Sequence, residues 1–160
     1  MVIIMKKIYI FSDTHGGVGR CLDILRDADS VGGIIHAGDC ENDARDISDA
    51  LPNIPVYSVR GNCDFFSQTP NELVCEVEGV RIFVTHGHMY DVKYESNYRS
   101  LVKRAKEAGA ALAVFGHTHI PYLDTDGKFT VVNPGSMRYG RTYAVASLEN
   151  GSVRVDMMEG

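Results

Sequence analysis

Seven residues that can bind metal ions follow short apolar stretches of this sequence. They are Asp13, His15, Asp39, Asn62, His86, His117 and His119. In Asp13-x-His15 and His117-x-His119 two donors are two residues apart, so in an extended loop both side chains project to the same side. This mixture of oxygen and nitrogen donors without thiolate favours Mn²⁺, Fe²⁺, Ni²⁺ or Zn²⁺ over Mg²⁺ or Ca²⁺, with Mn²⁺ as the first expectation.

The stretches that precede these residues are typical of buried strands. A short apolar run bounded by glycine predicts such a strand. Five of them precede candidate ligands, at 7–11, 33–37, 56–60, 81–85 and 111–115. Ligands of open α/β sheets gather beyond the carboxyl ends of the strands. We therefore expect the seven side chains to meet at one rim and to form a metal site.

Asp39 is the candidate best suited to serve two ions. Its carboxylate has two oxygens, and a bridging carboxylate can hold two cations ~3.5–4 Å apart. We assign one ion to Asp13, His15, Asp39 and His119, and the other to Asp39, Asn62, His86 and His117. Asn62 has a further capability, because its amide can donate to a phosphoryl oxygen. The expected cofactor is therefore a pair of divalent transition-metal ions.

The rest of the pattern predicts an α/β fold. Amphipathic helices at 17–28 and 41–51 alternate with the first three strands, as parallel crossovers require. A third helix is predicted at 94–108. Hairpin turns are predicted at Glu78-Gly79, Asp126-Gly127 and Asn150-Gly151. Their antiparallel strands make the sheets mixed, and sheets packed face to face with helices outside would bury this pattern.

Length and composition indicate one ordinary globular domain, residues 1–160, without a linker, a repeat or a cap domain. The chain is 44% hydrophobic and 23% charged. Its net charge of −5 argues against nucleic acid as a specific partner. Oligomeric state stays open, and a homo-oligomer is compatible with the sequence.

The sequence shows no feature typical of a membrane protein or of a protein from an oxidising compartment. No apolar stretch approaches the ~18 residues that span a bilayer. The opening residues 1–7 lack the order and length of a signal peptide. Four evenly spread cysteines without a C-x-x-C pair are expected to be reduced thiols. We therefore expect a cytoplasmic protein.

The candidate ligands stand in ordered motifs that resemble a known family. The motifs are Ser12-Asp13-Thr14-His15-Gly16, Gly38-Asp39, Gly61-Asn62-Cys63-Asp64, Gly87-His88, Gly116-His117-Thr118-His119 and Asn133-Pro134-Gly135-Ser136. They are similar to those of the calcineurin-like metallophosphoesterases, and to the small YfcE-type phosphodiesterases in particular. The resemblance implies a four-layer α/β sandwich, a dinuclear centre, and hydrolysis of a small phosphodiester or activated monoester by a hydroxide shared between the ions.

Three residues near the motifs have less certain roles. Position 63 is Cys where many larger relatives have a His that assists the leaving group, which puts efficient general-acid catalysis in doubt. For His88, a catalytic contact with substrate, a position behind the ligands and a plain surface location are all open. For His36, inside a strand, we favour packing or support of a ligand.

A scaffold is the alternative to an enzyme. The retromer coat subunit has the fold that the resemblance implies and is generally regarded as an interaction protein with an incomplete metal site. In this chain every ligand position holds a residue able to bind metal, including His15, His117 and His119. The sequence therefore favours the hydrolase.

Overall fold

The computed structural model describes residues 5–160, and the expectation for the residues before Met5 lies outside that range. Its strands, in chain order, are β1 (Met5–Phe11), β2 (Gly33–His36), β3 (Val56–Ser58), β4 (Glu72–Val77), β5 (Val80–Thr85), β6 (Leu112–Val114), β7 (Tyr122–Thr125), β8 (Thr130–Asn133), β9 (Thr142–Glu149) and β10 (Ser152–Glu159). Its α-helices are α1 (Val18–Asp27), α2 (Glu41–Ala50) and α3 (Arg99–Glu107).

The strands form two mixed five-stranded sheets. The first has the order β10-β9-β1-β2-β3, and the second has the order β4-β5-β6-β8-β7. Strands β1, β2 and β3 are parallel, as are β5, β6 and β8, whereas the hairpin strands at the edges are antiparallel. The predicted mixed sheets with antiparallel edges are confirmed.

The two sheets pack face to face and the helices cover their outer faces. Between the sheets, Ile10 and Ile35 belong to one fully buried apolar cluster with Val84 and Val114. A second cluster joins the first sheet to α1 and α2, and a third joins the second sheet to α3. Burial of such side chains contributes ~1.5–3 kcal/mol each. The result is the predicted four-layer α/β sandwich.

The third helix begins later than its sequence pattern predicts. We expected helix over 94–108, but α3 starts at Arg99 after a single 3₁₀ turn. Asn97 and Tyr98 have φ values of +57° and +55°, and a right-handed helix cannot pass through left-handed residues. Glu95 instead accepts a hydrogen bond from the backbone N–H of Ser100 (2.7 Å), which satisfies a free donor of the first turn. The first five residues of the predicted helix were wrong.

No helix within residues 5–160 is long and apolar enough to cross a membrane. The four cysteines are free thiols, as predicted from their spacing.

Candidate metal centre

The loops after the parallel strands carry the candidate ligands in an unusual backbone conformation. Five of the seven have positive φ: Asp13 (+52°), His15 (+41°), Asp39 (+50°), His117 (+71°) and His119 (+62°). Left-handed backbone is uncommon for residues other than glycine, and it concentrates at functional sites. The loops thus hold ligand-type side chains in positions that ordinary loop geometry would not give.

Glycines between the ligands let these loops approach each other closely. A Cβ at Gly61 would lie 1.9 Å from Oδ1 of Asp39, and one at Gly116 would lie 2.0 Å from Oγ of Ser12. The β1 and β2 loops are also joined directly, because the N–H of Asp13 donates to the carbonyl of Gly38 (2.9 Å). The glycines of the motifs are therefore required by close contact between backbones and ligands.

Two groups of potential ligands form, and they share Asp13, a residue that our sequence assignment gives to the first ion only. In the first, the donor atoms of Asp13, His15 and His119 lie within 4.8 Å of one another. In the second, those of Asp13, Asp39 and His86 do so. Oδ1 of Asp13 is 3.2 Å from Nε2 of His119 and 3.7 Å from Nε2 of His86.

The carboxylate of Asp39 lies between histidines of both groups. Its Oδ2 is 3.3 Å from Nε2 of His86 and 3.9 Å from Nε2 of His15. Its Oδ1 accepts a hydrogen bond from the N–H of Cys63 (2.9 Å), which fixes the carboxylate plane. Asp39 can therefore face two ions at once, as can Asp13.

Asn62 and His117 complete the rim on the side of His86. Oδ1 of Asn62 lies 3.0 Å from Nε2 of His86. The ring of His117 lies 5.1 Å from that of His86, measured between centroids. The backbone N–H of His117 also donates to Oδ2 of Asp13 (3.0 Å). The structure thus brings all seven predicted residues to one rim, four from the first sheet and three from the second.

The site passes a simple test for a bound cation. Oδ1 of Asp13 and Nε2 of His15 are buried and have no hydrogen-bond partner within the described residues. An unpaired buried polar atom costs ~1–3 kcal/mol, and more if it is charged, so such atoms call for an explanation. A divalent cation would satisfy both atoms. The donor chemistry and the unpaired atoms therefore fit metal.

Burial and mutual charge shift the pKa values of these groups in opposite directions. Burial, reinforced by the charges of His86 and Lys93, lowers the pKa of His117 to about 4. For His86, burial lowers the pKa, but Asp39 and Asp13 outweigh it, so the net shift is upward. Burial raises the pKa of Asp39, yet hydrogen bonds and charge from His86, with hydrogen bonds from Cys63, hold it below its usual value. The Asp39 carboxylate is therefore ionised and able to bind a cation.

Sequence reasoning missed the residue that holds the ligand loops together, Asp64. Its carboxylate accepts backbone hydrogen bonds from Asp39 (3.0 Å), Gly61 (2.7 Å) and Glu41 (2.8 Å). It therefore ties two ligand loops to the start of α2. Its place beside Asn62 and Cys63 in a recognised motif was the only available signal, because no periodicity marks such a residue.

The loop Asn133-Pro134-Gly135-Ser136 supports the opposite side of the site. Oγ of Ser136 donates to the carbonyl of Asp13 (2.8 Å), and the amide of Asn133 donates to the carbonyl of Gly116 (3.1 Å). Three residues beyond Ser136, the exposed ring of Tyr139 stacks on His119 at 5.4 Å between centroids. This loop lies at the rim, as the family resemblance implied.

His36 is a buried support and not a ligand. Its Nδ1 accepts the N–H of Gly38 (3.2 Å), and its Nε2 is 2.9 Å from the hydroxyl of Thr14. Burial lowers its pKa, so the neutral ring is favoured. The residue therefore links the β1 and β2 loops, in keeping with the supporting role that the sequence favoured.

His88 lies beside the ligands, whereas Cys63 is exposed at the edge. The ring of His88 is 5.5 Å from that of His86 and 6.1 Å from that of His117, between centroids. Burial lowers the pKa of His88, and its buried Nδ1 has no hydrogen-bond partner among the described residues. Partial desolvation, followed by the charge of Asp39, raises the pKa of the Cys63 thiol. The ring of His88 is therefore favoured in its neutral form, and of the two side chains it is the one that lies beside the ligand histidines.

Sequence comparison identifies proteins similar to this chain along most of its length. A family model described as the calcineurin-like phosphoesterase superfamily domain matches residues 5–151. The probable metallophosphoesterase YsnB of Bacillus subtilis is 34% identical over 93% of this chain and 88% of its own. Phosphodiesterase YfcE of Escherichia coli K12 is 33% identical over 51% of this chain and 44% of its own.

Solved structures agree with that assignment. A predicted phosphoesterase from Streptococcus pneumoniae superposes with a TM-score of 0.81 at 30% identity, covering 99% of this chain and 91% of that one. Vacuolar protein sorting 29 from Cryptosporidium parvum shares the fold, with a TM-score of 0.74 at 18% identity and 98% of each chain covered. The chain described here belongs to the calcineurin-like phosphoesterase superfamily.

Proposed function

We propose that this protein is a dinuclear metal-dependent phosphodiesterase that acts on small phosphodiesters and on activated monoesters. The observation that carries the proposal is the buried pair Asp13 and Asp39, whose ion-pair partners within residues 5–160 are all histidines. Two divalent ions are the simplest partners for such an arrangement. Mn²⁺ is the first candidate, followed by Ni²⁺, Fe²⁺ and Zn²⁺.

The seven candidate ligands divide between the ions as follows. Asp13, His15 and His119 would hold the first ion, with Asp39 shared; Asn62, His86 and His117 would complete the second. When bound, the ions supply a hydroxide at neutral pH and electrostatic stabilisation of the phosphoryl oxygens.

The protein's own groups orient the substrate and manage protons. The exposed amide of Asn62 can donate to a phosphoryl oxygen, because its carbonyl oxygen faces His86 and its nitrogen uses only one N–H, toward Sγ of Cys63 at 3.7 Å. During hydrolysis the bond from phosphorus to the leaving oxygen breaks and a bond to the water oxygen forms. His88, close to His86 and His117, is the candidate donor of a proton to the leaving oxygen.

A single domain without a cap would leave the metal centre open to solvent. Within residues 5–160 the elements are the two sheets, their three helices and one 3₁₀ turn, and none of these lies in an inserted domain that could cover the rim. An open site selects poorly among leaving groups. We therefore propose broad specificity for the ester group that departs as the leaving group.

Turnover of bis(p-nitrophenyl) phosphate tests the proposal directly. Purified protein supplied with Mn²⁺ should release p-nitrophenolate, and EDTA should abolish the release. Asp39→Asn is the matched variant, because it keeps the shape of the side chain and removes the charge. If no transition metal gives chelator-sensitive turnover, the protein is not this enzyme.

A scaffold role receives support from the fold alone. The vacuolar sorting protein resembles this chain in architecture at only 18% identity. The meeting of all seven candidate ligands at one rim supports the enzyme over the scaffold. Metal binding without turnover on a panel of phosphodiesters would favour the scaffold.

A further inference from the structure

A cavity of about 460 Å³ is lined in part by the loop that carries the candidate ligands His117 and His119. Thr118, which stands between His117 and His119, forms part of its wall, and Ile120 continues that wall. Ile120 is 62% exposed, so most of its apolar surface is available to a ligand. The volume is within the range of small-molecule sites, about 300–1,000 Å³. The loop that would hold the ions therefore also forms one wall of this cavity.

The opposite wall of the cavity is aromatic. Tyr98 and Tyr122 both line it, and their rings are edge to face with centroids 4.8 Å apart. The ring of Tyr98 also packs 4.6 Å from that of Phe115, so it is held in place from behind. Asn97 and Tyr98, which both line the cavity, have the left-handed backbone that precedes α3. Backbone strain of this kind is concentrated at functional sites.

Two charged side chains of opposite sign, Lys93 and Glu95, line the cavity. Glu95 is committed to the start of α3, since both of its oxygens accept hydrogen bonds from Ser100. Lys93 is exposed, lines the cavity, and takes part in none of the salt bridges found in residues 5–160. A free cation next to a site for phosphate raises the local concentration of an anionic substrate.

We propose that this cavity, the arm subsite, binds a planar aromatic ester arm of the substrate. The arm is an aryl or nucleoside group that stays on the phosphate while the other arm leaves. Aromatic rings pack edge to face or offset against such walls, which adds to the area that they bury. Lys93 would interact with the phosphodiester charge that all substrates share. The proposal rests on the phosphodiesterase function and gives it a substrate class.

A larger cavity, of about 820 Å³, is less suited to bind the ester arm of a substrate. It shares Asn97 and Tyr122 with the arm subsite but extends along α3, and no residue of the ligand loops lines it. Its lining contains the basic side chains Arg99, Lys103 and Lys106 together with the acidic Asp124 and Asp126. A substrate held there would not be joined to the metal centre.

Three substrates with one leaving group test the arm subsite. Methyl, phenyl and thymidine 5′-esters of p-nitrophenyl phosphate all release p-nitrophenolate and differ only in the retained arm. The wild type should show a kcat/KM at least about tenfold higher for the aromatic arms than for the methyl arm, because their burial removes apolar surface from water. The phenyl and thymidine arms, compared with each other, tell an aryl site from a nucleoside site.

Single substitutions test which residues cause the preference for aromatic ester arms. Ile120→Ala should reduce the ratio of phenyl to methyl kcat/KM about fivefold, since buried apolar surface is lost. Lys93→Ala should slow all three substrates by a similar factor. Leu123→Ala is the matched control, because Leu123 is also a partly exposed apolar residue (40%) but does not line the cavity. Tyr98→Leu, checked for folding by thermal unfolding, is a second variant that removes the aromatic wall.

Binding gives a readout independent of turnover. Calorimetry with the protein should show tighter binding of phenylphosphonate than of methylphosphonate, and Ile120→Ala should reduce that difference. Turnover of all three esters without an arm preference, or a preference that survives Ile120→Ala, overturns the subsite and leaves the phosphodiesterase standing. Absence of any chelator-sensitive turnover overturns the enzyme and the subsite together.

Discussion

Residues other than glycine adopt left-handed backbone both in hairpin turns and in the loops of the metal centre, and the two regions reach it differently. In the turns, Glu78 (φ +48°) and Asn150 (φ +49°) each stand before a glycine that also has positive φ. This pairing is the ordinary solution for a two-residue hairpin. In the metal centre, Asp13 and Asp39 adopt similar angles, but both are buried.

The difference lies in what stabilises each region. A hairpin turn is determined mainly by its own two residues and by the strands that it joins, although here the N–H of Gly151 also donates to the carbonyl of Glu78 in the other turn (3.0 Å). The ligand loops depend on partners far away in the chain: Asp64 holds Asp39 from 25 positions on, and Ser136 holds Asp13 from 123 positions on. The turns are therefore locally encoded, whereas the metal centre exists only when the whole fold brings its supports together.

The largest expected effect is that of Asp39→Asn. The change removes the charge that faces His15 and His86, so it should abolish metal binding and activity together. We expect a loss greater than the ~10–100-fold typical for residues that only support ligands. Elemental analysis and EDTA-sensitive turnover measure the two effects. A variant that kept two metal equivalents would show that Asp39 does not bridge the ions.

Asp64→Ala should have the next largest effect. It leaves the N–H groups of Asp39 and Gly61 without their acceptor, and we expect metal affinity to fall ~10–100-fold. Asp126→Ala is the matched control, because that exposed carboxylate also accepts two backbone hydrogen bonds, from Lys128 and Phe129. Metal titration should distinguish the variants. Equal metal affinity in both would mean that the ligand loops do not depend on Asp64.

Metal should stabilise the fold, because Asp13 and Asp39 repel each other without it. A ligand that binds only the native state at about 100 times its Kd adds ~2.7 kcal/mol. Thermal unfolding should therefore show a higher Tm with Mn²⁺ and a lower one with EDTA. The Asp39→Asn protein serves as control and should not respond. No shift in the wild type at saturating Mn²⁺ would contradict a native metal site.

His36 should make the metal-free protein less stable in acid. Burial lowers its pKa in the folded state, so the unfolded state takes up the proton first as the pH falls. The stabilisation is present above pH ~6.5, the unfolded pKa, and is lost below it. Urea unfolding in EDTA should show that His36→Gln is less stable than the wild type at pH 8, with a gap that narrows at pH 5. A constant gap would mean that His36 is not buried in its neutral form.

The smallest effect is expected in a turn. Asn150→Gly keeps the left-handed conformation available, so the free energy of unfolding should change by no more than ~0.5 kcal/mol. Metal affinity should not change at all. A large loss of stability would show that the turn, like the ligand loops, depends on more than its own residues.

Sequence patterns predicted the parts of this molecule that are encoded locally. Short apolar runs located β1, β2, β3, β5 and β6, and hairpin signals located the antiparallel edges. They failed at the start of α3, where Asn97 and Tyr98 break an amphipathic pattern that is otherwise helical. Helical periodicity records which face is buried and does not record a left-handed residue.

The residues of the candidate site likewise fall into two sets, those that the sequence predicts and those that it does not. The seven ligand candidates could be listed from sequence because their residue types and their places after strands are visible there. Asp64, Ser136 and Asn133 could not be given roles, since a side chain that holds a distant backbone N–H or carbonyl leaves no periodic trace. The arm subsite was equally invisible, because it forms where the His117-Thr118-His119 loop meets the segment before α3.

Anomalous diffraction from crystals grown with Mn²⁺ tests the dinuclear centre most directly. We predict two peaks about 3.5–4 Å apart. One should lie among Asp13, His15 and His119, and the other should lie beside His86, with Asp39 between them. A single peak at saturating Mn²⁺, or no peak at this rim, would contradict the account.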